Sequence, residues 1–92
     1  MVTVVVLANA EHGKVNEVAE KLAELPGVVD VYSVGGRFDL VIVARVKTNE
    51  EVADLVNGHM IRIHGISSTE TLVAFKAYAR RDVEAGFSLG RP

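Results

Sequence analysis

The 92-residue sequence predicts an α+β fold in which strands and helices follow one another in the order β-α-β-β-α-β. Three observations support this prediction. Two segments have apolar residues at helical spacing, four others have the length and apolar content of strands, and turn or capping residues separate them. A chain of this length forms one domain with one core and leaves no room for a second.

The first strand and the first helix come from the N-terminal third of the chain. Residues 2–8 (VTVVVLA) are a nearly continuous β-branched run, which is typical of a strand buried on both faces. A helix is predicted from Lys14, and its apolar stripe is formed by Val15, Val18, Ala19, Leu22 and Leu25. Pro26 and Gly27 then end the helix, because both residues are common terminators.

Two more strands are predicted around a pair of glycines. Residues 28–34 (VVDVYSV) form the second strand and residues 37–46 (RFDLVIVARV) the third. Gly35-Gly36 between them predicts a tight two-residue hairpin. The face of the third strand that is assigned to the core consists of Phe38, Leu40, Ile42, Ala44 and Val46. The other face is polar at its ends and apolar at Val41 and Val43.

The second helix is predicted to begin at a capping box. Thr48 is the N-cap and Glu51 follows three residues later. The apolar stripe of this helix consists of Val52, Leu55, Val56 and Met60. Gly58 lies inside the pattern, so residues 61–64 are either the last helical turn or a loop, and Gly65 ends the element.

A last strand and a C-terminal tail complete the chain. Residues 67–70 (SSTE) are predicted to be a polar approach to a strand over residues 71–79 (TLVAFKAYA). From Arg80 the composition becomes polar and contains glycine. We therefore expect one domain over residues 1–79 and a tail of low order over residues 80–92.

This order of elements is the ferredoxin-like, split β-α-β arrangement. The right-handed crossover rule places both helices on one face of a four-stranded antiparallel sheet. The opposite face still carries Val41, Val43 and half of each valine-rich outer strand. Because an apolar patch of that size is rarely left exposed, we expect a homo-oligomer in which sheets pack together, as in a dimeric α/β-barrel. A monomer with a scattered apolar surface is the alternative.

Composition and charge exclude several classes of function. Ten Lys and Arg against twelve Asp and Glu argue against a dedicated nucleic-acid binder, which would have a basic surface. There is no cysteine, so disulfides and thiolate chemistry are excluded. His12, His59 and His64 lack the spacing of a metal site, and no cofactor is expected. No apolar stretch is long enough to span a membrane and there is no signal peptide, so we expect a soluble cytoplasmic protein.

Three short motifs carry a family resemblance. Residues 22–28 (LAELPGV) and 31–39 (VYSVGGRFD) are similar to the patterns L-x-x-L-P-x-V and V-x-x-V-x-G-x-x-D, and residues 65–71 (GISSTET) are similar to G-V-x-x-T-x-T. All three patterns belong to the RAM domain, the ligand-binding part of the Lrp/AsnC transcription regulators. Those regulators begin with a helix-turn-helix segment, whereas this sequence begins with its first strand. It therefore resembles a stand-alone RAM domain.

The resemblance implies both partners and a ligand. Family members form dimers that join their sheets and often assemble further, so a homo-oligomer is implied, as a dimer, a tetramer, an octamer or a larger ring. Small effectors such as amino acids bind between the subunits. The implied function is effector binding and oligomerisation, with modulation of full-length Lrp/AsnC regulators by co-assembly. We expect no direct contact of this chain with nucleic acid or membrane.

The implied ligand site combines the glycine hairpin with the hydroxyl-bearing segment before the last strand. A carboxylate in the hairpin can accept hydrogen bonds from an ammonium group, and backbone N–H groups at glycines can approach a ligand carboxylate closely. Serine and threonine hydroxyls can supply further donors. The candidate ligand-binding residues are Gly35, Gly36, Arg37, Phe38, Asp39, Ser67, Ser68, Thr69 and Thr71.

Each candidate also has a structural alternative. The two glycines are equally expected from turn geometry alone, and Asp39 can cap the hairpin backbone or pair with Arg37. Phe38 lies on the predicted core face, where packing is the commoner role, and a solvated Arg37 is commoner than a ligand-bound one. The hydroxyl cluster can be a polar loop before a strand.

A small dimeric α/β-barrel enzyme is the alternative function, for example a cofactor-independent monooxygenase or isomerase. Such enzymes share the topology, and a fold does not determine a function. This hypothesis requires a pocket between the helices and the sheet of one subunit, lined by His59, His64 or Tyr32. No catalytic motif supports it, and we predict that the protein is not an enzyme.

Overall fold

The computed structural model describes residues 1–78 and confirms the predicted order of elements. The strands are β1 Val2–Ala10, β2 Val28–Ser33, β3 Leu40–Val46 and β4 Ile66–Val73. The helices are α1 Val15–Ala23 and α2 Asn49–Ala53, and α2 continues into a π-helical segment, Asp54–His59, and a 3₁₀ turn, Met60–Arg62. The end of the predicted domain at residue 79 and the predicted tail lie outside the described residues. No helix within residues 1–78 is long and apolar enough to cross a membrane.

The four strands form one antiparallel sheet in the order β2-β3-β1-β4. Both β1 and β2 run antiparallel to β3, which lies between them, so α1 connects two parallel strands that are not neighbours. This is the split β-α-β topology that the sequence predicts. In this topology β1 and β3 are the central strands, and β2 and β4 are the edge strands.

The helices and one face of the sheet enclose the core. Val4, Val6, Leu40 and Ile42 of the sheet are completely buried against α1 and the segment that follows α2. The core consists of Val4, Val6, Ala8, Val18, Leu22, Leu40, Ile42, Ala44, Val46, Val52, Leu55 and Met60. No buried side chain among the described residues is polar. The side-chain alternation predicted for the third strand is therefore confirmed from Leu40 to Val46.

The second helix begins with half of the predicted capping box. The Glu51 backbone N–H donates to Thr48 Oγ1 at 3.1 Å, as predicted for an N-cap. The Glu51 carboxylate accepts from the Lys47 backbone N–H at 2.8 Å, one residue before the N-cap. The helix then widens into the π-helical segment, where His59 Nδ1 lies 3.1 Å from the Asp54 carbonyl oxygen. Helical structure ends at Arg62, so the last predicted turn is partly present.

The tight hairpin predicted at the two glycines is wrong. Ser33 pairs with Leu40, so a six-residue loop, residues 34–39, connects β2 to β3. Within it the Val34 N–H donates to the Asp39 carbonyl oxygen at 3.0 Å. The Asp39 N–H points the other way and donates to the Ala8 carbonyl oxygen of β1 at 3.0 Å. Contact with β1 thus sets where β3 begins, three residues later than predicted.

The last strand lies earlier in the chain than predicted, and it ends at Val73. β4 begins at Ile66, and residues 67–70 are part of the strand and not an approach to it. They pair with the end of β1, with Ser68 opposite Asn9 and Glu70 opposite Leu7. Polar residues are tolerated there because β4 is an edge strand with exposed side chains.

Candidate functional site

Three polar residues meet at one end of the sheet, where β1 ends and β4 begins. The Asp39 backbone N–H donates to Asn9 Oδ1 at 3.1 Å. Asn9 Nδ2 donates to Ser68 Oγ at 3.3 Å. The Ala10 backbone N–H donates to Asp39 Oδ2 at 2.9 Å. We call Asn9, Asp39 and Ser68 with these bonds the rim network. It links the 34–39 loop to β4, and the candidate ligand-binding residues predicted from the sequence lie in these two segments.

The Asp39 carboxylate binds the backbone of β1 just beyond the point where pairing with β3 ends. Ala8 is the last residue of β1 that pairs with β3, and β1 extends two residues beyond it. The backbone N–H of the second of these residues, Ala10, donates to Asp39 Oδ2. Asp39 therefore caps a backbone, as its structural alternative expects, but the backbone is that of β1 and not of the hairpin. A carboxylate accepts several hydrogen bonds on two oxygens, so the group retains capacity for a further donor.

Arg37 and Phe38 contact each other, and neither makes the contact that the structural alternatives predict, with Asp39 and with the core respectively. Arg37 lies with its guanidinium carbon 5.8 Å from the centre of the Phe38 ring, within cation–π range. The only ion pair within residues 1–78 joins Lys14 and Glu17, so Asp39 has no such pairing with Arg37. Phe38 is half-buried but lies outside the core cluster, because β3 begins only at Leu40. Gly36 has a φ of +117°, which favours glycine, and it is fully on the surface.

The hydroxyl residues of β4 are divided between the two faces of the sheet. Ser68 is opposite Asn9, on the face that the helices do not cover, which we call the open face. Thr69 and Thr71 are opposite Ala8 and Val6, whose side chains are buried under the helices. The register shifts beside Ser67, because Asn9 pairs with Ser68 and the next residue of β1 pairs with Ile66. The nine candidate residues therefore do not surround one space within a single chain.

The open face has an apolar centre, as the sequence predicts. Cross-strand pairing aligns its side chains in rows that contain Val5, Leu7, Val41, Val43 and Leu72. Leu72 is 47% exposed. Tyr32 lies beside Val41 and is 51% exposed, and its hydroxyl donates to Asp30 Oδ2 at 3.2 Å. This hydrogen bond and the negative charge of Asp30 raise the pKa of Tyr32. The rim network lies at one end of this face.

The core between the helices and the sheet is filled, and a cleft lined by one of the three residues of the enzyme hypothesis remains at its surface. Completely buried side chains, among them Leu22, Ile42 and Met60, occupy the space between the helices and the sheet. His64 and Tyr32 are exposed and do not line a cavity there. His59 lines a surface cleft of about 280 Å³ together with Pro26, Gly27, Val46, Glu51, Asp54 and Leu55. Within residues 1–78 no three His, Asp or Glu side chains are grouped as metal ligands.

Comparison with known families identifies this arrangement. The sequence model of the Lrp/AsnC ligand binding domain matches residues 3–83. The chain belongs to the Lrp/AsnC ligand-binding domain family. It is 34% identical over 74 residues to the helix-turn-helix transcriptional regulator FL11 of Pyrococcus furiosus, with 79% of this chain and 48% of the regulator covered. The chain spans about half the length of such curated relatives, or less.

Solved structures share this fold. The structure of TTHA0845 from Thermus thermophilus superimposes with a TM-score of 0.83 at 44% identity, covering 87% of this chain and 100% of that one. AsnC of E. coli superimposes with a TM-score of 0.81 at 20% identity over 87% of this chain and 54% of its own. The relatives with known roles are transcriptional regulators, and the family model is that of a ligand-binding domain.

The sequence interpretation did not include Asn9 among the candidate residues. Its position supplied one signal, since it is the first polar side chain after five consecutive apolar residues, Val4 to Ala8. Asparagine is also frequent where a strand simply ends in a turn. The signal therefore has little weight without the contacts to Asp39 and Ser68.

Proposed function

We propose that this domain binds an amino acid as its effector, associates with copies of itself through the open face, and acts on transcription regulators by co-assembly. The observation that carries the proposal is the rim network at the end of the open face, in a chain that belongs to a ligand-binding family. The polar rim supplies groups for a small zwitterion, and the apolar centre beside it supplies a contact surface.

The chemistry of the rim suits an amino acid. The ligand brings an ammonium and a carboxylate, and each needs charge-assisted hydrogen bonds once water is removed. Asp39 has acceptor capacity left for the ammonium. The Ser68 hydroxyl and the backbone N–H groups of Gly35 and Gly36 are donors for the carboxylate, and Arg37 is a cation on the same exposed loop.

A site between copies explains the division of candidate residues over two faces. Asp39 and Ser68 belong to the rim network, and Gly35, Gly36, Arg37 and Phe38 lie in the loop that ends at Asp39. Ser67 lies beside the register shift, and Thr69 and Thr71 are on the helix side of β4. One small molecule cannot contact both sides of a strand in a single chain. It can do so in a larger assembly, when one copy contributes the loop and a copy outside the open-face dimer contributes the threonines. This is our reason for proposing all nine as ligand-binding residues.

Self-association is supported by the apolar centre of the open face. A small domain has limited stability of its own, and covering Val5, Val41, Val43 and Leu72 with an equivalent surface removes apolar area from water. A second copy fits because the same face is then buried on both sides of a two-fold interface. We propose a dimer of this kind, with tetramers, octamers or larger rings as further assemblies.

Co-assembly is supported by the relatives. They are helix-turn-helix regulators, and this chain matches about half of their length or less, so it shares the domain that would join two chains. In such a mixed assembly the regulator contacts DNA and this domain contacts neither nucleic acid nor membrane. We accordingly propose a cytoplasmic location and no enzymatic activity.

Thermal-shift measurements test the effector proposal. Each of the twenty proteinogenic L-amino acids is added singly to the purified chain, and an effector present at a hundred times its Kd should stabilise the protein by about 2.7 kcal/mol. Sedimentation velocity in the same buffers reports the assembly. Stabilisation by one or a few amino acids is expected. A folded assembly that none of them stabilises would contradict amino-acid sensing.

Native mass spectrometry tests co-assembly. The chain is mixed with a full-length Lrp/AsnC regulator, and mixed oligomers are expected whose proportion changes with the stabilising amino acid. Exclusively separate homo-oligomers would remove co-assembly from the proposal and leave effector binding intact.

A further inference from the structure

We infer that Asn9 is a positioning residue that directs the Ser68 hydroxyl hydrogen outward and holds the backbone of Asp39, so that the rim network orients a zwitterion with its carboxylate at Ser68 and its ammonium at Asp39. This inference rests on the proposed effector function and adds a residue and a ligand orientation to it.

The orientation of the Asn9 amide follows from its neighbours. The Asp39 backbone N–H is a donor, so the atom 3.1 Å from it is the amide oxygen, Oδ1. The amide nitrogen then points to Ser68 Oγ, 3.3 Å away. One planar group thus accepts from the loop and donates to the strand, a combination that neither a carboxylate nor a hydroxyl reproduces at both positions.

The first consequence concerns the hydroxyl of Ser68. Its oxygen already accepts from Asn9 Nδ2, so its own hydrogen is free to point elsewhere. Ser68 is an exposed residue on the open face, and a ligand approaching along that face therefore meets an O–H donor. A donor at this position fits a carboxylate oxygen of the ligand.

The second consequence concerns Asp39. Asn9 Oδ1 and the Ala8 carbonyl oxygen both accept from the Asp39 backbone N–H. The Ala10 N–H donates to Asp39 Oδ2 at 2.9 Å. Backbone and side chain are therefore held from β1, while the carboxylate keeps acceptor capacity for a cationic donor. Three bonds from β1 fix the acceptor, and one bond from β1 orients the donor, so the end of β1 determines the polarity of the site.

The substitution Asn9→Asp tests this inference because it changes only one end of the amide. The introduced carboxylate still accepts from the Asp39 N–H, but it also accepts from the Ser68 hydroxyl, which then presents lone pairs to the ligand. Asn16→Asp is the matched control, since Asn16 is exposed on α1 and the change in net charge is the same.

Binding is measured by titration calorimetry with an amino acid that stabilises the wild-type chain, and with the corresponding amine that lacks the carboxylate. We expect Asn9→Asp and Ser68→Ala to weaken binding of the amino acid about ten- to a hundred-fold, as for the loss of a hydrogen bond to a charged group. Binding of the amine should not weaken in either variant, since the carboxylate introduced by Asn9→Asp attracts a cation. Ser68→Thr keeps the hydroxyl and should bind as the wild type does. A purely structural defect would weaken both ligands together.

The outcomes separate the two proposals. If no amino acid binds the wild-type chain, the effector function itself is wrong. If an amino acid binds wild type, Asn9→Asp and Ser68→Ala with equal affinity, the effector function stands and the role of Asn9 is overturned. Equal weakening of the amino acid and the amine also overturns it. If Asn9→Asp does not fold, Asn9→Ala takes its place, because it also removes the amide donor from Ser68, and the same selective loss of amino-acid binding is expected.

Discussion

Gly65 and Val18 are packed so closely that a Cβ atom at Gly65 would lie 2.9 Å from Val18 Cγ2. Gly65 has a φ of +107°, a conformation that L side chains rarely adopt. Its carbonyl oxygen also accepts from the Glu11 N–H at 2.7 Å, which ties the segment to the end of β1. The chain that leads into β4 is therefore held against α1, and with it the hydroxyl residues that follow.

Gly65→Ala should destabilise the domain by about 2–4 kcal/mol, because a strained backbone and overpacking each cost on the order of 1–3 kcal/mol. Gly58→Ala is the matched control. Gly58 is helical and a Cβ atom there meets nothing within 4 Å, so this change should stabilise by about 0.5–1 kcal/mol. Urea unfolding at one fixed protein concentration measures both. A Gly65→Ala variant as stable as the wild type would contradict the packing described.

Thr48→Ala should remove about 1 kcal/mol of stability, because the Glu51 N–H loses its acceptor at the start of α2. Thr48→Ser retains the hydroxyl and should remain within a few tenths of a kcal/mol of the wild type. Thermal unfolding followed by circular dichroism distinguishes the two variants. Equal losses in both would show that the methyl group, and not the cap, is responsible.

Val43→Asp should prevent self-association, since it places a charge at the apolar centre of the open face, opposite Val5. Ile61→Asp is the control, because Ile61 is 55% exposed in the 3₁₀ turn after α2 and lies away from the sheet. Sedimentation velocity should show a smaller species for Val43→Asp and an unchanged one for Ile61→Asp. If Val43→Asp assembles to the wild-type size, association uses another surface.

The Tyr32 phenol should titrate at higher pH than an ordinary tyrosine, and Asp30→Asn should lower its pKa. The hydrogen bond to Asp30 and the negative charge of Asp30 both favour the neutral phenol. Because the folded-state pKa is raised, this contribution to stability is complete below the unfolded-state pKa of about 10 and is lost as the pH rises through the folded-state value. Absorbance at tyrosinate wavelengths measures the titration, and Tyr32→Phe assigns it. A titration curve that Asp30→Asn leaves in place would contradict the assignment of the cause.

Local patterns were sufficient wherever one segment specifies its own structure. The apolar stripe of α1 predicts that Val18 and Leu22 are buried, and both are. The capping motif predicts the Thr48 bond, and alternation along β3 predicts which side chains enter the core. These features depend on residues within a few positions of one another, and periodicity reports them directly.

Contacts between distant segments were not visible in the same patterns. The loop of residues 34–39 looks like a two-residue hairpin until β1 binds the backbone of Asp39. The polar residues 67–70 look like a loop until the end of β1 offers them partners. In both cases the deciding hydrogen bonds join residues about thirty to sixty positions apart, as the bonds of Asn9 do.

By itself, the sequence determined the β-α-β-β-α-β order, the two helical stripes, the two-sided apolar character of the sheet and the motifs of the Lrp/AsnC family. These properties are properties of composition and spacing. Only the tertiary structure decided that β4 begins at Ile66, that Ser68 and Thr69 face opposite sides, and that Asn9 joins the loop to β4. The reason is physical: strand pairing fixes register, and register decides which polar side chains share a face.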